Sequence, residues 1–167
     1  TTATSTATTT ATATAPPPAT APPPGVSACA DMGELLAKIN ALRARGQVCG
    51  DRSMPAAPAL TWSSPLGRAA ERHSYDMASH NFMNHTGSDG STPPYRMVEA
   101  GYGGWSWGEN IAAGFSNVDA VIRGWLGSPG HCSALMNPGF TDVGGSCAYN
   151  SGTTYGFYWT VTLGTSR

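Results

Sequence analysis

Apolar residues recur along this chain with two different periods, and the change between them divides it. Over 31–45, Met32, Leu35, Leu36, Ile39 and Leu42 fall three or four positions apart, the spacing of an amphipathic helix. Asp31 or Ala30 opens that helix and Gly46 stops it. Residues 50–58 read as loop, and 59–62 as a short extended lead-in. A second helix follows, capped by Ser63 or Ser64, with Pro65 in its first turn where a missing N–H costs little. Leu66, Ala69, Ala70, His73 and Met77 form its buried stripe, and it ends near Asn81. A polar loop over 82–94 leads to a short helix over 95–100, stopped by Gly101, and 105–113 starts as loop or short strand. Residues 118–126 make a further helix with Val121, Ile122 and Trp125 inward, ending at Ser128-Pro129-Gly130. Past Thr141 the period drops to two. Residues 141–148 and 155–163 read as strands joined by a turn around Asn150-Ser151-Gly152. Helices first and an antiparallel hairpin last predict an α+β layered domain.

Composition sets the first twenty-five residues apart. Thr and Ala dominate 1–15, and Pro16-Pro17-Pro18 and Pro22-Pro23-Pro24 follow. Such a segment has little apolar area to bury against its backbone entropy, so 1–25 is expected to be a disordered Thr/Ala/Pro-rich stalk or linker that packs on nothing. The remainder, 26–167, is one domain. The chain opens at Thr1 without an apolar targeting segment, the pattern of a processed form. No run of eighteen apolar residues offers a membrane span. Net charge is −1 and Lys38 is the one lysine, so the positive field a nucleic-acid groove needs is missing.

Four cysteines, none in a Cys-x-x-Cys or zinc-finger spacing, suggest disulfides and an oxidising compartment: extracellular, periplasmic or cell-envelope. Three connectivities exist, of which the two sequence-local pairs, Cys29–Cys49 and Cys132–Cys147, are the expectation. Each would close a short loop worth about 3 kcal/mol.

With charged residues at only 11%, three polar positions beside Gly or Pro suggest a built site: His85, Glu109 and His131. Two imidazoles and a carboxylate can hold a divalent metal or serve acid–base chemistry. His73, on an apolar stripe, reads as a core or cleft-wall residue, and His80 as the favourable cation of a helix C-terminus. Gly104-Trp105-Ser106-Trp107-Gly108 matches a nucleophile elbow only as a pattern, for the strand-to-helix turn that motif needs is not expected there.

The order of segments resembles a known family. His85-Thr86-Gly87-Ser88-Asp89-Gly90, Arg96, Gly101-Tyr102, Gly108-Glu109-Asn110-Ile111-Ala112, Trp125, Ser128-Pro129-Gly130-His131, Asn137-Pro138-Gly139-Phe140-Thr141 and the closing Tyr158-Trp159 to Gly164 together look like the bacterial branch of the CAP, or SCP-like, superfamily. Its relatives include cysteine-rich secretory, venom-antigen and pathogenesis-related proteins. The resemblance implies a three-layer α-β-α sandwich with a central antiparallel sheet and a cleft of two His and two acids. By motif His85 and His131 are the two histidines and Glu109 one acid, while Ser128 stands where the second acid usually lies. It further implies zinc or another divalent cation at His85, His131 and Glu109 in some relatives, and a lipid or sterol-like ligand in others.

Three functions follow as expectations. A secreted, non-catalytic binding module is the first, its partner a small lipid or sterol-like ligand or an extracellular protein. An extracellular hydrolase is the second, using His85, Glu109 and His131, with Ser128, Ser133 or a metal-bound water attacking. A structural envelope protein with a vestigial cleft is the third. The residues favour the first, because none is unambiguously a nucleophile and the acid set is one short.

Overall fold

A computed structural model of the chain describes residues 21–167. The first helix, α1 (Met32–Arg45), is capped by Asp31, whose carboxylate accepts from the Gly33 N–H, and Gly46 ends it with a positive φ. The second, α2 (Ser64–His80), starts from Ser63 and stops at Asn81, the one non-glycine described residue with a positive φ. The short α3 (Pro93–Glu99) and α4 (Val118–Leu126) follow as the periodicity predicts. An unforeseen fifth helix, α5 (Pro129–Met136), begins where the fourth was expected merely to stop. Pro129 at its first position breaks one helix and starts the next, so His131 rides on a helical turn.

Strands β5 (Trp107–Ala113), β6 (Asp142–Tyr149) and β7 (Phe157–Gly164) form an antiparallel core in the order β6-β7-β5. The outer edge of β6 pairs with β1 (Ser27–Ala28) and, in parallel over two residues, with β4 (Thr61–Trp62). The expected loop over 50–58 instead holds part of a hairpin, β2 (Gln47–Cys49) with β3 (Arg52–Met54). Its strands are too short to carry a readable alternation.

Helices lie on both faces of the sheet. Val143, Cys147, Trp159, Val161 and Leu163 face α1, α4 and α5, with Leu35, Ile39, Val121, Trp125 and Leu135 packed on them. The alternate residues of β7, Tyr158, Thr160 and Thr162, turn to the other face, which α2 covers. There Thr160 accepts from the Ser74 hydroxyl at 2.8 Å and Thr162 donates to Leu66 O at 2.7 Å, so the buried hydroxyls are paired. Close approach of α2 depends on Gly144, where a Cβ would stand 2.0 Å from the Gly67 nitrogen. This is the three-layer α+β sandwich the sequence resemblance implied.

The disulfide pairing corrects the sequence expectation. Cys29 joins Cys147, with Cα atoms 5.2 Å apart, and Cys49 joins Cys132 at 5.4 Å. The cause is strand pairing: Ala28 sits opposite Ala148, which sets Cys29 beside Cys147, and the β2–β3 hairpin packs against α5. Cys29–Cys49 and Cys132–Cys147 are therefore not formed. Proximity in sequence misled because both links join the two ends of the chain. Of the expected stalk, residues 1–20 lie outside the described residues. Its last part does touch the domain, since Pro23 accepts a hydrogen bond from the Val26 N–H and lines a cavity beside α2.

Candidate functional site

Glu109 stands on β5, the edge strand, opposite Thr162 on β7 and therefore on the face covered by α2 and α3. Its side chain is 1% exposed. Burial of a carboxylate is costly unless each oxygen is paired, and here each is. Arg96 on α3, also 1% exposed, donates Nη2 to Oε2 at 2.7 Å. His85 Nδ1 donates to Oε1 at 2.8 Å.

Arg96 does more than neutralise. Nη2 also donates to His85 O at 3.0 Å, and Nη1 donates to Ser91 O at 2.8 Å. One guanidinium thus ties both ends of the 85–91 loop to the carboxylate beneath it. The loop is held from α2 as well, where Asp76 accepts from the Ser88 N–H and hydroxyl and Arg72 pairs with Asp89 at 2.8 Å. Sequence reasoning gave Arg96 no role beyond a motif position. A buried arginine on a seven-residue helix leaves no periodic signal, although its rarity in this weakly charged chain was a hint.

His73 lies below this cluster, fully buried as its stripe position predicted. Nε2 donates to Asn84 O at 2.7 Å and is 4.0 Å from Glu109 Oε1. Burial pushes the imidazole below its ordinary pKa, against the pull of Glu109.

His131 is anchored to the same strand through its backbone. On the opposite face of β5, Asn110 Nδ2 donates to His131 O at 3.0 Å, fixing the first turn of α5 against the strand. Trp125 Nε1 donates to Ile111 O at 3.1 Å and holds α4 likewise. Burial, and secondly the nearby charge of His85, push the His131 imidazole below its usual value. Two half-open imidazoles therefore flank β5, one steered by a buried carboxylate.

Glu109 is committed to His85 and Arg96, and among the described residues no group of three His, Cys, Asp or Glu side chains is arranged to hold a metal ion. The donors suited to a cation are the two imidazoles. Ser128 occupies the N-cap position of α5, one turn before His131, and its side chain caps nothing. Ser106 shares a hydrogen bond with Thr165 at 2.5 Å, on a bend entering an antiparallel strand, so no nucleophile elbow is built there. His80 pairs with Asp76 at 2.8 Å at the end of α2.

Comparison with known proteins places this arrangement. Two Bacillus subtilis proteins align with the chain: the uncharacterized membrane protein YlbC, 34% identical over 51% of this chain, and the uncharacterized protein YkwD, 33% identical over 47%. The aligned stretches span only 25% and 31% of those proteins' own lengths. A Bacillus anthracis extracellular protein containing an SCP domain superposes with a TM-score of 0.66 at 28% identity, covering 80% of this chain and 40% of that one. An outer surface protein of Borrelia burgdorferi gives a TM-score of 0.69 at 22% identity, over 81% and 92% of the two chains, and so shares the fold. The sequence profile of the cysteine-rich secretory protein family matches residues 36–163. The chain belongs to that family, CAP.

Proposed function

We propose that this protein works outside the cytoplasm as a binding module whose cleft, formed by His85 and His131 over buried Glu109, takes up a divalent cation of the zinc class. Support for the location comes from two disulfides, which persist in oxidising compartments, and from the extracellular SCP-domain protein that shares the fold. The observation that carries the binding reading is the His85–Glu109–Arg96 chain of contacts. A carboxylate on Nδ1 fixes the tautomer, leaves Nε2 as a free lone pair and raises its basicity, the outer-shell arrangement found at metal-ligating histidines. His131, whose pKa burial pushes below the ordinary imidazole value, supplies the second nitrogen. A bound cation would bring a Lewis acid to the cleft.

Neither Ser128 nor Ser133 donates a hydroxyl hydrogen bond to an imidazole among the described residues, so binding is preferred to hydrolysis. Exposed Trp107, two positions before Glu109 on the same strand face, and Met83, two before His85, offer an apolar flank to an organic ligand. Calorimetric titration with zinc tests the reading. One equivalent should bind the wild-type chain and none the His131→Ala variant, with thermal stability unchanged. Full uptake by that variant would place the cation elsewhere.

A further inference from the structure

Helix α5, which carries His131, has little of its own to hold it. It is eight residues long and no side chain caps its start, and an isolated helix that short is not stable in water. Its place is set from outside, at three points. Cys132, one residue past His131, is bonded to Cys49 of the β2–β3 hairpin. At the far end stands Arg43 of α1, fully buried and without a carboxylate partner among the described residues. Its Nη1 donates to Leu135 O at 2.7 Å and to Asn137 O at 3.0 Å, a cation against the carbonyls of a helix C-terminus. At the near end is Asn110, 1% exposed, whose Nδ2 donates to His131 O.

Asn110 differs from the other two by its place on β5. It follows Glu109 directly, and consecutive residues of a strand point to opposite faces. Glu109 lies with Ile111 on the α2 side, where it holds the His85 ring. Asn110, paired across the ladder with Val161, lies on the side of α4 and α5. One strand thus fixes both histidines through adjacent side chains, one acting on a ring and the other on a main-chain carbonyl. Two imidazole nitrogens share a zinc ion only when each can lie about 2.0–2.1 Å from it, so a small drift of α5 from β5 weakens the site.

We propose that Asn110 is a positioning residue of the cation cleft, which holds the first turn of α5 on β5 and so sets the distance between the His131 and His85 imidazoles. This rests on the reading of the cleft as a cation site. The test sets Asn110→Leu, which keeps the volume and removes the donor, beside Asn40→Leu. The second variant removes an amide that ties α1 to Leu60 O at the same 3.0 Å, away from either histidine in the chain. Calorimetric zinc affinity should fall about tenfold in Asn110→Leu and hold its wild-type value in Asn40→Leu. The visible bands of the cobalt-loaded protein should change in the first variant and not in the second. A metal-free arm follows amide exchange, in which Cys132 and Ser133 should lose protection relative to β6 in Asn110→Leu alone. Should Asn110→Leu not fold, Asn110→Ser replaces it, with the same expectations. Wild-type zinc affinity in the Asn110 variant, an equal loss in Asn40→Leu, or unchanged exchange at Cys132 would overturn the proposal. Failure of the wild-type chain itself to take zinc would remove the cation reading. The exchange arm would then still decide whether Asn110 holds His131 in place.

Discussion

At the scale of single residues, the buried Glu109–Arg96 pair carries the largest energetic stake. Removing one member of a fully buried, hydrogen-bonded ion pair strands the other charge in a low dielectric. Glu109→Ala should therefore cost about 3–5 kcal/mol in equilibrium denaturation, whereas His85→Ala, whose side chain is 51% exposed, should cost well under that. A loss below about 1 kcal/mol for Glu109→Ala would mean that Arg96 finds other partners. His73 adds a pH dependence. Its folded pKa lies below the ordinary imidazole value, so on acidification the unfolded chain takes up its proton first. The His73 contribution is complete above about pH 6.5 and declines as pH falls below that, down through the lowered folded pKa. Thermal melts from about pH 8 to pH 5 should show the decline, and His73→Gln, whose amide can still donate to Asn84 O, should flatten that part of it.

At the scale of elements, α2 can settle on the sheet only while two backbones touch. A Cβ at position 144 would meet the Gly67 nitrogen at 2.0 Å and the Leu66 carbonyl carbon at 2.2 Å, where no side-chain rotation gives relief. Gly144→Ala should destabilise by about 3 kcal/mol or more and broaden the amide spectrum of both elements. The helices were legible because α1, α2 and α4 each bury one stripe and carry a side-chain cap at their start. Strand β7 was legible through the alternation of Phe157, Trp159, Val161 and Leu163 with Tyr158, Thr160 and Thr162. Strands of two or three residues, such as β1 and β2, have no period to read and exist through their partners. Helix α5 hid because its apolar residues are spread around it and Ser128-Pro129-Gly130 resembles a terminus.

At the scale of the whole molecule, the same limit explains the disulfides. Which cysteines meet is decided by β1 lying on β6 and by α5 lying on the hairpin, long-range facts that no local spacing encodes. Peptide mapping under non-reducing conditions should recover Cys29 with Cys147 and Cys49 with Cys132, and neither sequence-local pair. Loops of 118 and 83 positions are closed in this way, worth about 4–5 kcal/mol each on a chain-entropy reckoning, so removing either link should lower the melting temperature markedly. Of the candidate site, the three polar positions were visible in the sequence because each stands out in a weakly charged chain. Arg96 was not, since its partners come from other segments of the chain.

The two cross-links are nested, one inside the other, and α2, the polar loop before α3, β5 and α4 all lie between the inner pair of cysteines. A peptidase that cuts anywhere in that stretch cannot release a fragment, because each piece keeps two sulfur bonds to the other. Cleavage at the exposed residues 83–86 would leave a two-chain molecule running as one band without reductant and as two with it. Among secreted peptidases, such a molecule would tolerate nicking without dissociating, and its lifetime would be set by reducing agents rather than by proteolysis alone.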